Sequence, residues 1–356
     1  MSAPRIVIGA GGTAGHVVPA LAVADALRAD GAEVHFIGGN RAEAKLVPEA
    51  GYEFHQLNVV SLPRRKPLAA ARAVATDTRA LGRCLSLIGQ LAPSAVMGGG
   101  GYVAGPVGLA ARIRRVPLVL TELDSHLGLT NKLLAPVARR VCLALPIPGT
   151  ENAPPGRFLI TGRPVPPLNT DRASARRRFG VADSETLVVV FGGSLGARSI
   201  NFAALEAFAG APFRVLHAAG ERDLPLLEER GGAPGPHYDL RGYIDGFVDA
   251  LVAADLVVAR SGGSIFEIAL AGKPSILVPY PHATADHQTT NARYLADAGA
   301  ALIVPDQQLS AERLGSEVGQ LLSDPKRMAA MGRAAAGLAR PRAAEDIAAE
   351  VLAAAG

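Results

Sequence analysis

Residues 5–16, RIVIGAGGTAGH, place a short β-branched strand, Arg5–Ile8, directly before a glycine-rich turn and the start of a helix. The same order recurs at residues 187–197, LVVVFGGSLGA, where the strand Leu187–Phe191 runs into a Gly-Gly-Ser turn. A buried strand that leads through a glycine turn into a helix is typical of parallel βαβ architecture. The two stretches therefore predict two α/β domains, each with a doubly wound parallel sheet.

The rest of the chain extends this alternation. Further strands are predicted at residues 34–37, 95–97, 118–120, 215–218, 256–259 and 275–278. Helices are predicted after the two glycine turns quoted above, over residues 68–91 and along the Ala-rich tail from 311 to 355. Seven prolines between residues 146 and 167 predict a linker. We expect domains at 1–162 and 163–335, facing each other across a cleft where ligands bind, and a helix at 336–356 that packs back toward the first domain.

Composition excludes several classes of protein. The chain has 356 residues, 49% of them hydrophobic and 19% charged, which is too apolar for a disordered chain. No apolar run is long enough to span a membrane, and Ile6–Ile8 is too short for a secretory signal. Cys84 and Cys142 are too few for a disulfide framework or a cysteine zinc site, which suits a reducing cytoplasm.

Charge and aromatic content indicate the kind of partner. The net charge of +4 suits a phosphate-rich substrate or an anionic membrane surface. Aromatic residues make up 4% of the chain and tryptophan is absent, so base-stacking platforms are not expected and nucleic acid is not a predicted partner.

The first glycine loop, Gly11–His16, admits two interpretations. The amide groups of a following helix suit a phosphate, although such turns also serve only to pack a strand against a helix. Residues 9–14 also fit the dinucleotide pattern G-x-G-x-x-A, but the second strand ends at Gly38–Arg41 without the acid that binds a ribose. A dehydrogenase is therefore disfavoured.

A third glycine turn, Gly98–Tyr102, is either an anion site or a flexible loop.

The turn Gly192–Gly196 also fits the G-x-S-x-G pattern of a serine hydrolase. A hydrolase built on Ser194 would need an acid and then a histidine, for which Asp255 and His282 are available. A small serine turn can equally bind phosphate through its amides and hydroxyl. Both interpretations stay open on the residues alone.

Taken together, five ordered motifs resemble the peptidoglycan N-acetylglucosaminyltransferases of glycosyltransferase family 28. The motifs are Gly11–Pro19, Gly98–Gly105, Gly192–Asn201, Arg260–Pro274 and Pro279–Asn291. The resemblance implies a two-domain GT-B fold and an inverting, metal-independent transfer of GlcNAc from UDP-GlcNAc, with no cofactor. The implied acceptor is undecaprenyl-pyrophosphoryl-MurNAc-pentapeptide (lipid I), and the product is lipid II. The alternatives are a related UDP-sugar transferase with another lipid or natural-product acceptor, and a nucleotide-binding module without catalysis.

The resemblance also implies which residues bind UDP-GlcNAc. In the second domain these are Ser194 at the diphosphate, Ile244 at the uracil through its backbone, Glu267 at the ribose and Gln288 at the sugar. From the first domain, the resemblance implies that four loop residues reach the sugar and diphosphate across the cleft, Thr13, Ala14, Gly15 and His16. It further implies that Asp124, which stands in place of the family's asparagine, contacts the donor sugar.

Glycosyl transfer needs stabilisation of the leaving UDP and removal of a proton from the acceptor. Arg163 and Arg260 are candidates to neutralise the diphosphate, although ordinary ion pairing would also explain them. The chain has no Asp-x-Asp metal motif, in keeping with metal-free transfer. His16 is a candidate general base because a neutral imidazole is available near pH 7, and Asp124 is the second candidate.

A lipid-linked acceptor requires contact with a membrane. The acceptor side is expected to include Gly100 and Tyr102. The segment 59–68 interleaves apolar and basic residues, so we expect Leu62 to enter the headgroup region while Arg64, Arg65 and Lys66 meet anionic lipid. A solvated loop is the alternative. The expected location is the cytoplasmic face of the plasma membrane, with peripheral attachment.

Overall fold

A computed structural model describes residues 3–57, 67–193 and 195–356, and the backbone alone for residues 67–78. The chain divides into two compact units. Unit 1 comprises Met1–Val165 and Arg340–Gly356, and unit 2 comprises Pro166–Ala339. The predicted domain boundaries were 162 and 335, whereas the division falls after residues 165 and 339.

In its described residues, unit 1 is built on a seven-stranded, wholly parallel sheet in the order β3-β2-β1-β4-β5-β6-β7. Its strands are β1 (Arg5–Gly9), β2 (Glu33–Gly38), β3 (Glu53–Gln56), β4 (Ala95–Gly98), β5 (Leu118–Glu122), β6 (Arg140–Leu143) and β7 (Phe158–Ile160). Its first helices are α1 (Ala14–Ala29), α2 (Ala42–Glu49), α3 (Pro67–Leu91), α4 (Ala104–Ile113) and α5 (Leu129–Leu134). The strand order reverses between β1 and β4, so the loops after these two strands meet at the point where doubly wound sheets bind ligands.

Unit 2 repeats this plan with six parallel strands in the order β10-β9-β8-β11-β12-β13. The strands are β8 (Leu187–Phe191), β9 (Arg214–Ala218), β10 (Tyr238–Arg241), β11 (Leu256–Ala259), β12 (Ser275–Leu277) and β13 (Ala301–Ile303). The helices are α6 (Arg172–Arg178), α7 (Arg198–Ala207), α8 (Leu224–Glu229), α9 (Phe247–Ala253), α10 (Ile265–Leu270), α11 (His287–Asp297), α12 (Ala311–Leu322) and α13 (Pro325–Leu338). Here the order reverses between β8 and β11.

Both faces of the unit 1 sheet are covered, which explains why its central strands are apolar without alternation. Ile6 and Ile8 of β1 point into a core shared with α1, whereas Val7 points into a second core shared with α3 and α4. All three side chains are fully buried. Helix α14 (Ala343–Ala355) completes the first of these cores with Ile347 and other apolar residues.

Two expectations differ from the structure. The proline-rich segment is not only a linker, since the edge strand β7 lies within it. The helix expected at 336–356 begins only at Ala343, because residues 339–342 interrupt the tail and Pro341 cannot continue a helix from the preceding turn. Within the described residues, no helix combines the length and apolar character needed to cross a bilayer.

Candidate functional site

The loops after β1 and β4 touch in unit 1, and a glycine makes the contact possible. Gly101 adopts a φ of +76°, and a Cβ at this position would overlap the carbonyl oxygen of Gly11. A residue with a side chain would separate the two loops, so this position requires glycine.

A buried carboxylate that the sequence analysis missed holds the same loops together. Glu43 of α2 is fully buried and accepts hydrogen bonds from the amides of Gly12 and Gly39, each at 2.9 Å, and from the Tyr102 hydroxyl at 3.0 Å. Burial, followed by this bond to Glu43, raises the pKa of Tyr102. Glu43 therefore fixes three loops at the carboxyl edge of the sheet, and its only signal in the sequence is an acid in the first turn after β2.

His16 and Asp124 line one cavity of about 270 Å³ together with Gly100 and Tyr102. The His16 ring packs against Gly100, where an added Cβ would lie 2.8 Å from its Cδ2 atom, and its Nδ1 atom is 3.3 Å from the Thr13 hydroxyl. Burial lowers the pKa of His16 below its ordinary 6.5, while the charge of Asp124 acts in the opposite direction. The ring is consequently neutral at pH 7 and available to accept a proton.

Arg163 joins this group from within unit 1. Its Nη2 atom donates to the carbonyl oxygen of Gly15 at 2.7 Å, and its Nη1 atom to that of Leu123 at 3.4 Å. Its positive charge also lowers the pKa of His16. The structure thus brings His16, Asp124, Gly15 and Arg163 together, with Thr13 and Ala14 exposed at the start of the same helix.

Glu122 positions the segment that carries Asp124. Its carboxylate accepts bonds from the amides of Asp124 at 3.2 Å and Gly128 at 2.8 Å, and from the Asn131 side chain at 3.0 Å. Burial raises the pKa of Glu122 despite these three donors. The loop between β5 and α5 is therefore shaped around one buried acid, which was not predicted from the sequence.

Unit 2 contains a larger cavity of about 710 Å³ at the carboxyl ends of β8 and β11. The glycine loop after β8 forms one wall, with Gly193 and Gly196 at φ values of +90° and +74°. A Cβ on Gly196 would overlap the carbonyl oxygen of Ala219, so this loop and the one after β9 also meet through a glycine. The lining residues with polar side chains are Arg198, Ser199, Arg222, Arg260, Tyr280, His282, Gln288 and Asp306.

Two of the cavity's arginines share one buried acid. The Asp223 side chain is fully buried and accepts bonds from Arg198 Nε at 3.1 Å and from Arg222 Nε at 2.9 Å. Its pKa is lowered chiefly by the bond from Arg222. Arg198 lies within the motif Gly192–Asn201 but had no predicted role, and neither Arg222 nor Asp223 was predicted. The signal was available, because both Arg222 and Asp223 lie in the loop after β9, at the ligand-binding edge of the sheet.

Arg260 lines the same cavity but is itself held in place. Its guanidinium pairs with Asp306 at 2.6 Å and donates to the Ser199 hydroxyl at 3.0 Å and to the carbonyl oxygens of Val278 and Pro279 at 3.1 Å. The group lies 5.5 Å from the centre of the Tyr280 ring. Arg260 is therefore ion-paired, and it also lines the cavity.

The remaining predicted donor residues differ in placement. Gln288 lines the cavity, and its side-chain oxygen accepts the Tyr280 amide at 3.0 Å, which leaves its NH₂ group to donate to a ligand. Ile244 is buried in the loop after β10, and Glu267 is half-buried in the first turn of α10. Neither is among the cavity's lining residues.

The hydrolase interpretation fails on geometry. Asp255 precedes β11 and binds Arg172, Arg176 and the amide of Leu187, which places it at the amino edge of the sheet. The turn Gly192–Gly196 follows the carboxyl end of the neighbouring parallel strand β8. A strand of five residues separates the two edges by about 16 Å, so Asp255 cannot orient a histidine beside that turn.

Five predicted site residues lie outside the part of the chain for which the structure gives side chains. They are Ser194 in the glycine loop of unit 2 and Leu62, Arg64, Arg65 and Lys66 in the segment before α3.

The two doubly wound units agree with the protein families that the sequence matches. The glycosyltransferase family 28 N-terminal domain matches residues 6–143, and the glycosyltransferase family 28 C-terminal domain matches residues 187–347. The chain belongs to glycosyltransferase family 28. The family assignment and the prediction of a GT-B fold with two Rossmann-like domains are thereby confirmed.

Family 28 relatives match almost the whole chain. A protein of Moorella thermoacetica named UDP-N-acetylglucosamine--N-acetylmuramyl-(pentapeptide) pyrophosphoryl-undecaprenol N-acetylglucosamine transferase is 40% identical, covering 96% of this chain and 97% of the relative. A protein of Desulforudis audaxviator with the same name is 39% identical, covering 96% of each. The crystal structure of MurG from Acinetobacter baumannii superposes with a TM-score of 0.80 and 29% identity, over 98% of this chain and 99% of that one.

Proposed function

We propose that the protein transfers N-acetylglucosamine from UDP-N-acetylglucosamine to N-acetylmuramyl-(pentapeptide) pyrophosphoryl-undecaprenol, a step of peptidoglycan synthesis. The observation that carries the proposal is the 39–40% identity, over 96% of the chain, to relatives that bear this activity in their names. A related UDP-sugar transferase with a different acceptor is the alternative that the experiment below separates.

The donor's diphosphate is assigned to the unit 2 cavity. Arg198, Arg222 and Arg260 place three guanidinium groups at its wall. Fixed cations of this kind stabilise the charge that develops on a leaving nucleoside diphosphate. Ser194, in the loop that leads to α7, adds a hydroxyl donor in this proposal, and Gln288 offers its amide hydrogens to the sugar. Ile244 and Glu267 remain the proposed contacts to the uracil and the ribose.

The proton of the acceptor hydroxyl is assigned to His16. Burial keeps its imidazole neutral, and Gly100 and Thr13 fix the plane of the ring. Asp124 lines the same cavity, and its charge stabilises the imidazolium that forms when the proton arrives. Arg163 holds the two loops together through the carbonyl groups of Gly15 and Leu123.

The acceptor's lipid requires a surface that can meet a bilayer, and unit 1 offers one. Large apolar side chains are exposed along α4, α5 and the turn after α5, and this α4–α5 surface comprises Leu109, Ile113, Leu129, Leu133 and Val137. The two helices pack against each other. Exposed basic residues flank the apolar ones, namely Arg112, Arg114, Arg115 and Lys132. Apolar residues bordered by cations fit the headgroup region of an anionic membrane, so we assign the protein a peripheral position on its cytoplasmic face.

The test is release of UDP from UDP-GlcNAc in the presence of a soluble lipid I analogue, beside UDP-Glc and UDP-Gal at the same concentrations. The proposal expects release that depends on the acceptor and is fastest with UDP-GlcNAc. Faster release with another sugar, or none with this acceptor while a different acceptor supports it, would establish the alternative transferase.

A further inference from the structure

Three side chains with metal-binding atoms meet at the edge of the unit 1 sheet, and none of them lines either cavity. His35 lies on β2, and Glu53 and His55 lie on the edge strand β3. In the register of this parallel pair, His35 is opposite Glu53, and His55 follows on the same face because side chains alternate along a strand. The cluster therefore follows directly from strand pairing.

Two of the distances between the ligand atoms match those around a tetrahedral metal ion. The Nδ1 atom of His35 is 3.3 Å from Oε2 of Glu53 and 3.4 Å from Nε2 of His55, and the three atoms all lie within 4.8 Å of one another. Zinc bonds of about 2.0–2.1 Å in tetrahedral geometry separate two ligand atoms by about 3.3–3.4 Å. Both contacts are longer than the usual hydrogen bond of about 2.9–3.0 Å.

A neighbouring carboxylate orients His35 for this role. The Nε2 atom of His35 is 2.8 Å from Oε1 of Glu33, and because a carboxylate only accepts, Nε2 carries the proton. By the same argument Nδ1 donates to Oε2 of Glu53 at 3.3 Å when no metal is bound, and zinc would displace that proton and take the Nδ1 lone pair. Glu33 is itself fixed by Arg5 at 2.9 Å, and His35 is only 5% exposed, so the arrangement is held from both sides. A carboxylate behind a histidine is the usual outer support of a zinc ligand.

We propose that His35, Glu53 and His55 form a zinc-binding site that ties the edge strand β3 to β2, with the fourth position open to water. Two nitrogens and one carboxylate oxygen suit Zn²⁺. Two cations lie near the site, Arg5 beside Glu33 and Arg83 near His55. The negative charges of Glu33 and Glu53 offset them. The site is separate from the transfer reaction, so its test does not depend on the proposed function.

The experiment is a calorimetric titration of the full-length, chelator-treated and tag-free protein with ZnCl₂, together with Co²⁺ as a spectroscopic probe. We expect one equivalent of zinc per chain, visible d–d absorption of tetrahedral Co²⁺, and a thermal midpoint that rises when zinc is present. His55→Gln and Glu53→Gln should each abolish the stoichiometric phase, and Glu33→Gln should weaken it about 10–100-fold by removing the support of His35.

The chain has eight histidines, so weak binding elsewhere must be separated from this site. Gln56→Ala is the matched control, because Gln56 lies on the same strand but on its opposite face, and it should bind zinc as the wild type does. The absence of a stoichiometric phase, or a phase that survives His55→Gln, would overturn the proposal. A thermal midpoint that responds to pH but not to zinc would show that these groups share a proton instead.

Discussion

At the scale of single residues, both cavities are organised by buried acids that touch no ligand in the proposed reaction. Glu43 and Glu122 hold the loops of unit 1, and Asp223 holds two arginines of unit 2. A buried carboxylate is costly to desolvate unless several donors meet it, and each of these accepts at least three hydrogen bonds. Each site therefore depends on these buried acids as well as on the residues that face the ligand.

The pKa of His16 gives a prediction with a definite sign. Because burial lowers this pKa and the base must be neutral, the acid limb of kcat/KM should lie below pH 6.5. Asp124→Asn removes a negative charge that raises the pKa, so the limb should move to still lower pH. His16→Gln should reduce kcat about a hundred- to ten-thousand-fold with UDP affinity retained. Loss of turnover in Asp124→Asn without movement of the limb would make Asp124 the base.

Asp223→Asn tests the paired arginines. An amide of similar shape would turn its NH₂ group toward the guanidinium groups of Arg198 and Arg222, which would then leave their present positions. Hydrogen bonds to charged groups contribute about 1.5–3 kcal/mol, so UDP affinity should fall about tenfold or more by calorimetry. Asp239→Asn is the control, since Asp239 pairs with Arg241 away from the cavity lining. Equal effects of the two changes would refute the assignment.

At the scale of elements, the central strands were predictable because they are buried on both faces and therefore read as apolar runs. Strand β3 (EFHQ) was not, since an edge strand with polar residues resembles a loop, and β7 was hidden among prolines. In the sites, the glycine loops were evident because close contacts and positive φ values demand glycine. Arg222 could have been predicted from its place in the loop after β9, but its pairing with Asp223 could not, since the burial of Asp223 follows only from tertiary packing.

The α4–α5 surface gives a prediction at this scale. Changing Leu129 and Leu133, which are 66% and 70% exposed, to glutamate should lower sedimentation with anionic liposomes and leave UDP binding unchanged. A leucine side chain that leaves water contributes up to about 1.5–3 kcal/mol, and two added negative charges oppose anionic lipid. Leu168→Glu, at another exposed leucine, should have no effect.

The basic segment before α3 is a separate candidate for the same contact. Reversal of Arg64, Arg65 and Lys66 to glutamate should also reduce liposome binding if each cation contributes about 1 kcal/mol at the surface. If sedimentation changes in only one of the two sets of variants, that set identifies the membrane contact. Unchanged sedimentation in both would remove the membrane proposal for these surfaces.

At the scale of the whole molecule, the two units differ in how the chain supplies them. Unit 2 is one continuous stretch, Pro166–Ala339, with its own buried core. We expect the fragment 166–339 to fold alone, with a cooperative thermal transition, and to bind UDP within a few-fold of the full chain. A fragment that is soluble and folded but does not bind UDP would show that the nucleotide needs residues of unit 1.

Unit 1 is discontinuous, because α14 adds Ile347 and Val351 to a core otherwise built from the first part of the chain. During synthesis on the ribosome, the sheet of unit 1 emerges long before this helix exists, and all of unit 2 must be translated in between. Nascent unit 1 consequently exposes an apolar groove along α1, a surface of the kind that chaperones shield and that aggregates when unprotected. The sheet of unit 1 is thus the first to leave the ribosome, but its core is the last to be completed.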